Sequence, residues 1–385
     1  MGDSGVSVAV FWISISFIFY TYIGYPLLLA LRAYWRTNPI RKDPTYAPTT
    51  TFLIIAHNEE GVIRQKLENT LSLECSGQRL DVVVASDGST DRTNEIVTQF
   101  GDKGVRLLAY ASRMGKTYAL NAAIPLCHSE IIILSDARQI YASSAVRELV
   151  ANFADPRIGA VTGDLQFQPS PDSKDGERIS LYWKYEKWIR RHQTHTDSTP
   201  VVTGAIYAIR KSLFRPLPRT CIADDLAMPM SIIMQGSRVT FDPEAKAFDR
   251  YSRTLQDEFR RRVRTIAGSY QYLFCVPQVL NPKANRIWLD FISHKTCRVI
   301  APFALFALLV ANLSITTWPY SLVLILQMTF YMLAGLGAVL ANRGTVPRVL
   351  SAPYTFLMLN IAAGVALFQL ISGAQTHLWE KTKVG

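Results

Sequence analysis

Three short acidic motifs carry the residues best suited to chemistry: Asp87-Gly88-Ser89-Thr90-Asp91, Ser135-Asp136-Ala137-Arg138 and Ala223-Asp224-Asp225. The first two follow apolar, β-rich runs, Val82-Val83-Val84-Ala85 and Ile131-Ile132-Ile133-Leu134. Each aspartate is therefore expected where a buried parallel strand ends, the edge at which open α/β sheets bind ligands. Asp136 is an oxygen ligand suited to Mg²⁺ or Mn²⁺, which share their shells with phosphates. Arg138, two residues on, is suited to a phosphate or to a neighbouring carboxylate. Asp224-Asp225 opens a predicted helix, where one acid satisfies the helix dipole and the second exceeds that need. A carboxylate facing an acceptor hydroxyl is a general base. Arg113-Met114-Gly115-Lys116 precedes another helix, where backbone N–H groups and the lysine can hold phosphate. Each motif has a plain structural reading as a turn or cap, and none is decisive alone.

The elements that must position these motifs follow the chain. Strands are expected at 50–56, 80–86, 105–109 and 129–135, with helices at 61–73, 91–100, 116–127 and 145–153. This alternation indicates βαβ units. A polar stretch at 168–177 breaks it; a helix at 179–193, another from 225 to Gly236, a strand at 238–242 and a basic helix at 255–272 follow.

Residues 6–31 carry no charge, long enough to cross a bilayer, and without a small-residue cleavage site they read as an anchor. Three further apolar stretches occupy 299–317, 320–341 and 352–373. The net charge of +11 concentrates beside these stretches and at 260–264. Membrane placement explains it better than nucleic acid does, and Arg32, Arg36, Arg41 and Lys42 place the central region on the cytoplasmic side. Lys381 and Lys383 oppose an outside C-terminus. The five cysteines are scattered without metal or redox spacing. No Gly-x-Gly-x-x-Gly follows the first strand, which counts against a nicotinamide oxidoreductase.

The order of motifs resembles the family 2 glycosyltransferases of the GT-A fold. The resemblance rests on Ile54-Ile55-Ala56-His57-Asn58-Glu59-Glu60, Asp87-Gly88-Ser89-Thr90-Asp91, Gly115-Lys116 with Leu120-Asn121, Ser135-Asp136-Ala137, Gly204 with Arg210, Asp224-Asp225, Gly236-Ser237-Arg238-Val239 and Pro243-Glu244-Ala245. By architecture it is similar to membrane-integrated hyaluronan, chitin-oligosaccharide and cellulose synthases. The resemblance implies an α/β GT-A domain, Rossmann-like with a mixed sheet, at 45–270. Around it stand a transmembrane helix at 1–35, an interfacial segment at 271–298, three transmembrane helices at 299–373 and a tail at 374–385. It implies inverting transfer from a nucleotide sugar, usually a UDP-sugar, with Mg²⁺ or Mn²⁺ at Asp136. Asn58, Glu59, Asp87, Arg113, Lys116, Asp136, Arg138 and Arg264 would bind the donor. Asp225 would be the base, with Asp224 beside it in place of the family's glutamate.

Two departures stand out. Arg138 replaces the second aspartate of Asp-x-Asp, and the processive members' Gln-x-x-Arg-Trp appears as Arg261-Arg262-Val263-Arg264-Thr265. Loss of the tryptophan removes a stacking surface for acceptor sugar and weighs against processivity. The expectation is an enzyme of the plasma (inner) membrane, its catalytic domain cytoplasmic, extending a polysaccharide or lipid-linked acceptor. The rivals are a single-sugar transferase acting on a lipid and a catalytically silent nucleotide-binding regulator. Membrane lipids are partners and nucleic acid is not; four spans are few for an enclosed polymer channel, which points to a homo-oligomer or an export partner. On the basic helix, Arg260 and Arg264 share a face expected to reach the donor diphosphate. Arg262 is expected to meet lipid or solvent.

Overall fold

The computed structural model describes residues 5–75, 80–168, 176–250, 255–315, 317–342 and 346–374. Most of the expected polar break, the tail from 375 and both Lys381 and Lys383 lie outside the described residues.

The described strands form one sheet: β1 Thr50–Ala56, β2 Asp81–Asp87, β3 Val105–Tyr110, β4 Ile131–Asp136, β5 Ile140–Tyr141, β6 Ile158–Gln168, β7 Tyr207–Arg210 and β8 Arg238–Arg250. Their order is β3-β2-β1-β4-β7-β6-β8-β5. The first four are parallel, and β7 runs antiparallel between β4 and β6. β6 pairs parallel with β8. The sheet is therefore mixed, and its parallel half is built from the strands whose apolar runs are plainest.

Side chains alternate across the sheet with the strand period of two. Leu53, Ile55, Val83, Ala85, Ile132 and Leu134 face the helices Lys116–Ala123 and Asp224–Met234. Phe52, Ile54, Val82, Val84, Ile131 and Ile133 face the helices Ile63–Leu71, Thr93–Thr98 and Ala145–Ala151. Burial on both faces explains the near-continuous apolar runs.

Among the described residues, four helical segments are long and apolar enough to cross a membrane: Gly5–Trp35, Trp288–Leu313, Tyr320–Ala341 and Val349–Ile371. The second differs from the sequence expectation. Its helix starts at Trp288, inside the stretch expected to be interfacial, because Asp290, His294 and Arg298 find partners within the protein. Asp290 accepts from Arg32 at 2.8 Å and Tyr25 at 3.1 Å, while His294 and Arg298 both meet Glu186. A π-helical turn, Ile292–Thr296, interrupts it, and a second, Tyr20–Gly24, interrupts the first segment. Tyr20 and Ser293 join the two turns hydroxyl to hydroxyl at 2.6 Å.

The basic helix Leu255–Cys275 links the sheet domain to these segments. Val263, Ala267 and Tyr270 pack against Val299, Ala362 and Ala366. Gly268 abuts Ala223, where an added Cβ would come within 2.7 Å of the Ala223 side chain and 2.9 Å of its nitrogen. That close approach fixes the helix against the loop leading into Asp224-Asp225.

Candidate active site

The parallel register aligns the ends of three strands. Ala56 pairs with Ser86 and Ile55 with Asp136, so the chain leaves β1, β2 and β4 at one edge. The β1 loop turns at Asn58, which holds a left-handed conformation (φ 54°). Its Oδ1 accepts from the Thr90 amide at 2.7 Å, while its own amide donates to Ser89 at 3.1 Å. The Glu59 amide donates to Thr93 at 2.7 Å. The first acidic motif thus stitches two loops together, and Asp91 accepts from the Thr93 amide at 2.9 Å where the helix Thr93–Thr98 begins.

Asp87 is fully buried. Its two oxygens accept from the amides of Met114 and Gly115, each at 2.8 Å. In this structure it anchors the loop that carries Arg113 and Lys116. Gly88 permits the approach: its φ is 63°, and a Cβ there would lie 2.4 Å from the Arg113 nitrogen. Arg113, half-buried, is held against the β2 turn by that contact.

Lys116 brings the separate motifs together. Its Nζ lies 2.9 Å from Asp136 and 3.3 Å from Asp224. Burial alone would lower its pKa, but the Asp136 and Asp224 charges outweigh burial and raise it. Gly204 forms the floor beside it, where an added Cβ would sit 3.4 Å from Lys116 Nζ and 3.6 Å from Asp225 Cβ. Asp225 is raised above the ordinary carboxylate value, first by burial and then by the Asp224 charge, against opposition from Lys295, Lys116 and Arg190. A carboxyl desolvated beside a like charge is a common signature of acid–base sites.

Arg138 takes the carboxylate option. It pairs with Asp249 through two hydrogen bonds of 2.8 and 2.7 Å. Asp136 and Glu59 add further negative charge around it, so Arg138 lies beside the metal-ligand candidate with Asp249 holding its guanidinium. Arg264 shares a helix face with Gly268 and Gln271, positions spaced four and three apart. Gln271 accepts from the Ile222 amide at 3.0 Å and donates to the Thr220 carbonyl at 2.8 Å, which turns that face toward the acidic pair.

Arg262 corrects an expectation. Rather than meeting lipid or solvent, its side chain is largely buried and pairs with Glu258 at 2.8 Å. It also lies over Tyr182 at 4.9 Å and Trp183 at 5.7 Å. The helix at Gly176–Thr196 supplies those rings, and helix periodicity within the basic segment carries no information about a partner so distant in sequence.

Sequence reading missed Lys66, which is wholly buried. Its Nζ donates to Ser135 Oγ at 2.8 Å and to the Gln139 carbonyl at 2.7 Å, bracketing Asp136. Burial lowers its pKa to about 7, with the Asp136 charge opposing. The signal was present: Ile63, Lys66, Leu67 and Thr70 form one helical stripe, so a lysine stood on an apolar face. Asp249 was missed likewise, on the buried alternation Ala245, Ala247, Asp249.

The mixed sheet and its strand-end edge have the GT-A architecture. Residues 51–217 match the Glycosyl transferase family 2 model. The chain is 27% identical over 269 residues to the probable glycosyltransferase YdaM of Bacillus subtilis, covering 65% of this chain and 62% of that protein. It is 25% identical over 228 residues to the poly-beta-1,6-N-acetyl-D-glucosamine synthase of Staphylococcus aureus, covering 58% and 55% respectively. The chain thus spans less than two thirds of these relatives. Its fold is similar to that of the mannosyltransferase PcManGT from Pyrobaculum calidifontis, solved with GDP-Man and Mn²⁺. The TM-score is 0.73 over 95% of this chain and 100% of that one, at 23% identity. Residues 51–217 of the chain thus form a segment that matches glycosyltransferase family 2.

Proposed function

We propose that the chain is a membrane-integrated, inverting glycosyltransferase, with its active site on the cytoplasmic face of the plasma (inner) membrane. It takes a sugar from a nucleotide-sugar donor, a UDP-sugar in the first instance, and adds it to a growing polysaccharide or a lipid-linked acceptor. The observation that carries this reading is the Lys116 bridge between Asp136 and Asp224, with Asp225 beside it. One cation and three carboxylates from separate motifs meet at the strand ends. The synthase named among the relatives supports a polymer or its precursor as product.

The donor diphosphate would lie at the start of the helix Lys116–Ala123, where the lysine charge and the positive end of the helix receive it. Asn58, Glu59 and Arg113 would border the nucleoside, with Asp87 holding the Lys116 loop in register. Asp225 receives the acceptor hydroxyl proton as that oxygen bonds to the anomeric carbon. The bond from that carbon to the diphosphate oxygen breaks, and the nucleoside diphosphate leaves beside Lys116 and Arg264. Among the described residues no group of three or more His, Cys, Asp or Glu is placed to hold a metal ion. The carboxylate of Asp136 is 42% exposed. One such ligand, completed by phosphate oxygens and water, suits Mg²⁺ or Mn²⁺, which when bound would neutralise the departing diphosphate.

The test is a donor screen with the purified chain in nanodiscs, including UDP-sugars and GDP-mannose with either metal. Nucleotide release and product length are scored together. Release with one donor is expected, and products many sugars long would mark a polymerase while single additions would mark the simpler transferase. No release from any donor would overturn the reading in favour of a silent regulator.

A further inference from the structure

A cavity of about 310 Å³ lies between the sheet domain and the apolar helices, apart from the strand-end site. This is the size of a small ligand site. One wall is cationic and aromatic: Arg262, Lys295, Arg298, Tyr22, Tyr182 and Tyr185. The other, from the helix Arg348–Ile371, is mostly apolar and includes Phe356, Leu359 and Ala363. Glu258 pairs with Arg262 and Glu186 with Arg298. Lys295 adds a third cation, so the charged wall is net positive. Arg298 keeps its Nε and Nη2 buried without a hydrogen-bond partner. Buried guanidinium donors are costly to leave unmet, and an anion on this wall would meet them.

Two further observations mark the cavity. Tyr22 comes from one π-helical turn, and His294 and Lys295 come from the other. Single π turns in helices recur at functional sites. Lys295 also acts electrostatically on Asp225, so the cationic wall lies toward the candidate base.

We infer that this cavity seats the acceptor, and that the acceptor is an anionic amphiphile whose charged head lies among Arg262, Lys295 and Arg298 and whose chain lies along the apolar helix. The assignment rests on the transferase reading above and adds the class of acceptor to it. A neutral glycan would bring no anion to the unmet Arg298 donors or to the Lys295 charge on this wall. A soluble anion would leave the apolar wall uncovered.

The experiment counts bound lipid on the full-length chain in detergent by native mass spectrometry. The probes are a short-chain phosphatidic acid, the matched phosphatidylcholine and inorganic phosphate. One phosphatidic acid per chain should be retained, phosphatidylcholine should not, and inorganic phosphate should fail to displace the lipid. Lys295→Gln should weaken retention roughly fivefold, the effect of one membrane-proximal cation. Ala363→Phe, which fills the apolar side without changing charge, should abolish retention while leaving acceptor-independent nucleotide release unchanged. Phosphatidic acid should also inhibit sugar transfer to a membrane lipid extract without inhibiting nucleotide release. Equal retention of both lipids, displacement by inorganic phosphate, or undiminished retention in both variants would overturn the proposal. Binding without inhibition of transfer would make the occupant a structural lipid and overturn it equally. If no donor releases nucleotide, the transferase reading fails, while the retention measurements still decide whether the cavity takes an anionic amphiphile.

Discussion

Two charged clusters in this molecule are built to opposite rules. At the strand ends, Lys116 is shared between Asp136 and Asp224, with Asp225 adjacent. At the membrane junction, Glu186 faces His294 and Arg298, and Asp290 receives Arg32 and Tyr25. Gln193 ties those two groups together through Tyr25 at 2.8 Å and His294 at 3.2 Å. Burial works against the Glu186 charge, yet Arg298 and His294 outweigh it and hold this carboxyl well below its ordinary value. Asp225 is raised instead, first by burial and then by the Asp224 charge. Burial alone therefore does not set the direction of a carboxylate's shift; the charges that face it do.

The sharpest way to break this comparison is Asp225→Asn. Turnover should fall by a factor on the order of 10² to 10⁴, the range for general acid–base catalysis, with donor affinity nearly intact by titration. The parent's acid limb in kcat should lie above the ordinary carboxylate range near 4, since the base acts only when deprotonated and its pKa is raised. Near-normal turnover would shift the role to Asp224. Excess chelator should likewise abolish transfer, and Asp136→Ala should weaken donor binding in a direct binding assay. Full activity in chelator would leave Lys116 as a metal-free clamp.

The structural cluster should respond differently. Asp290→Ala removes a carboxylate that is 1% exposed while leaving Arg32 behind. With Arg32 itself 33% exposed, the loss costs about 1–3 kcal/mol, the range for buried polar groups left unmet, read as a lower melting temperature in detergent with donor KM unchanged. A large KM change would erase the distinction between the clusters. On the basic helix, Arg264→Ala should reduce transfer roughly 10²-fold if it faces departing diphosphate. Arg262→Ala should cost about 2 kcal/mol of stability through its lost stacking on Tyr182, measured by thermal unfolding, and should also weaken retention of the anionic amphiphile, since Arg262 lines the cavity.

What was legible in the sequence follows the same division. β1, β2 and β4 stood out because strands buried on both faces leave continuous apolar runs, and the acids that end β2 and β4 marked the site. Helix starts at Lys116 and Asp224 were visible from glycine and acidic signals. β6 and β7 were not expected: Ile158–Gln168 mixes glycine and polar residues, and Tyr207–Arg210 has four residues, too short for a period. The second half of β8 escaped because Pro243 reads as a strand end, whereas the β6 pairing resumes after an irregularity and continues to Arg250. The membrane junction was hidden for a different reason. Asp290, His294, Lys295 and Arg298 made residues before 299 read as too polar for a span, and their partners on Arg32, Tyr25 and Glu186 are distant in sequence. Intramembrane charges are by default functional or paired, and here that rule outweighs local hydropathy.

The smallest expected effect belongs to Lys66, which lies between the two rules: a buried cation that serves the active edge by clamping Ser135 and Gln139 around Asp136. Its pKa falls from the ordinary 10.5 to about 7, by burial. Between those values the unfolded chain binds more protons at this group than the folded chain does, so stability rises with pH across that window. Below about 7 the lysine is charged in both states, and its burial cost is present in full. Lys66→Met removes the titration but also both hydrogen bonds. The difference in melting temperature, parent minus variant, should therefore grow by about 1–4 °C from neutral to alkaline pH. Because the clamp sets the Asp136 loop rather than the base, donor KM should rise more than kcat falls. A pH-independent difference with an unchanged KM would make Lys66 a packing residue and leave Asp136 positioned by Lys116 alone.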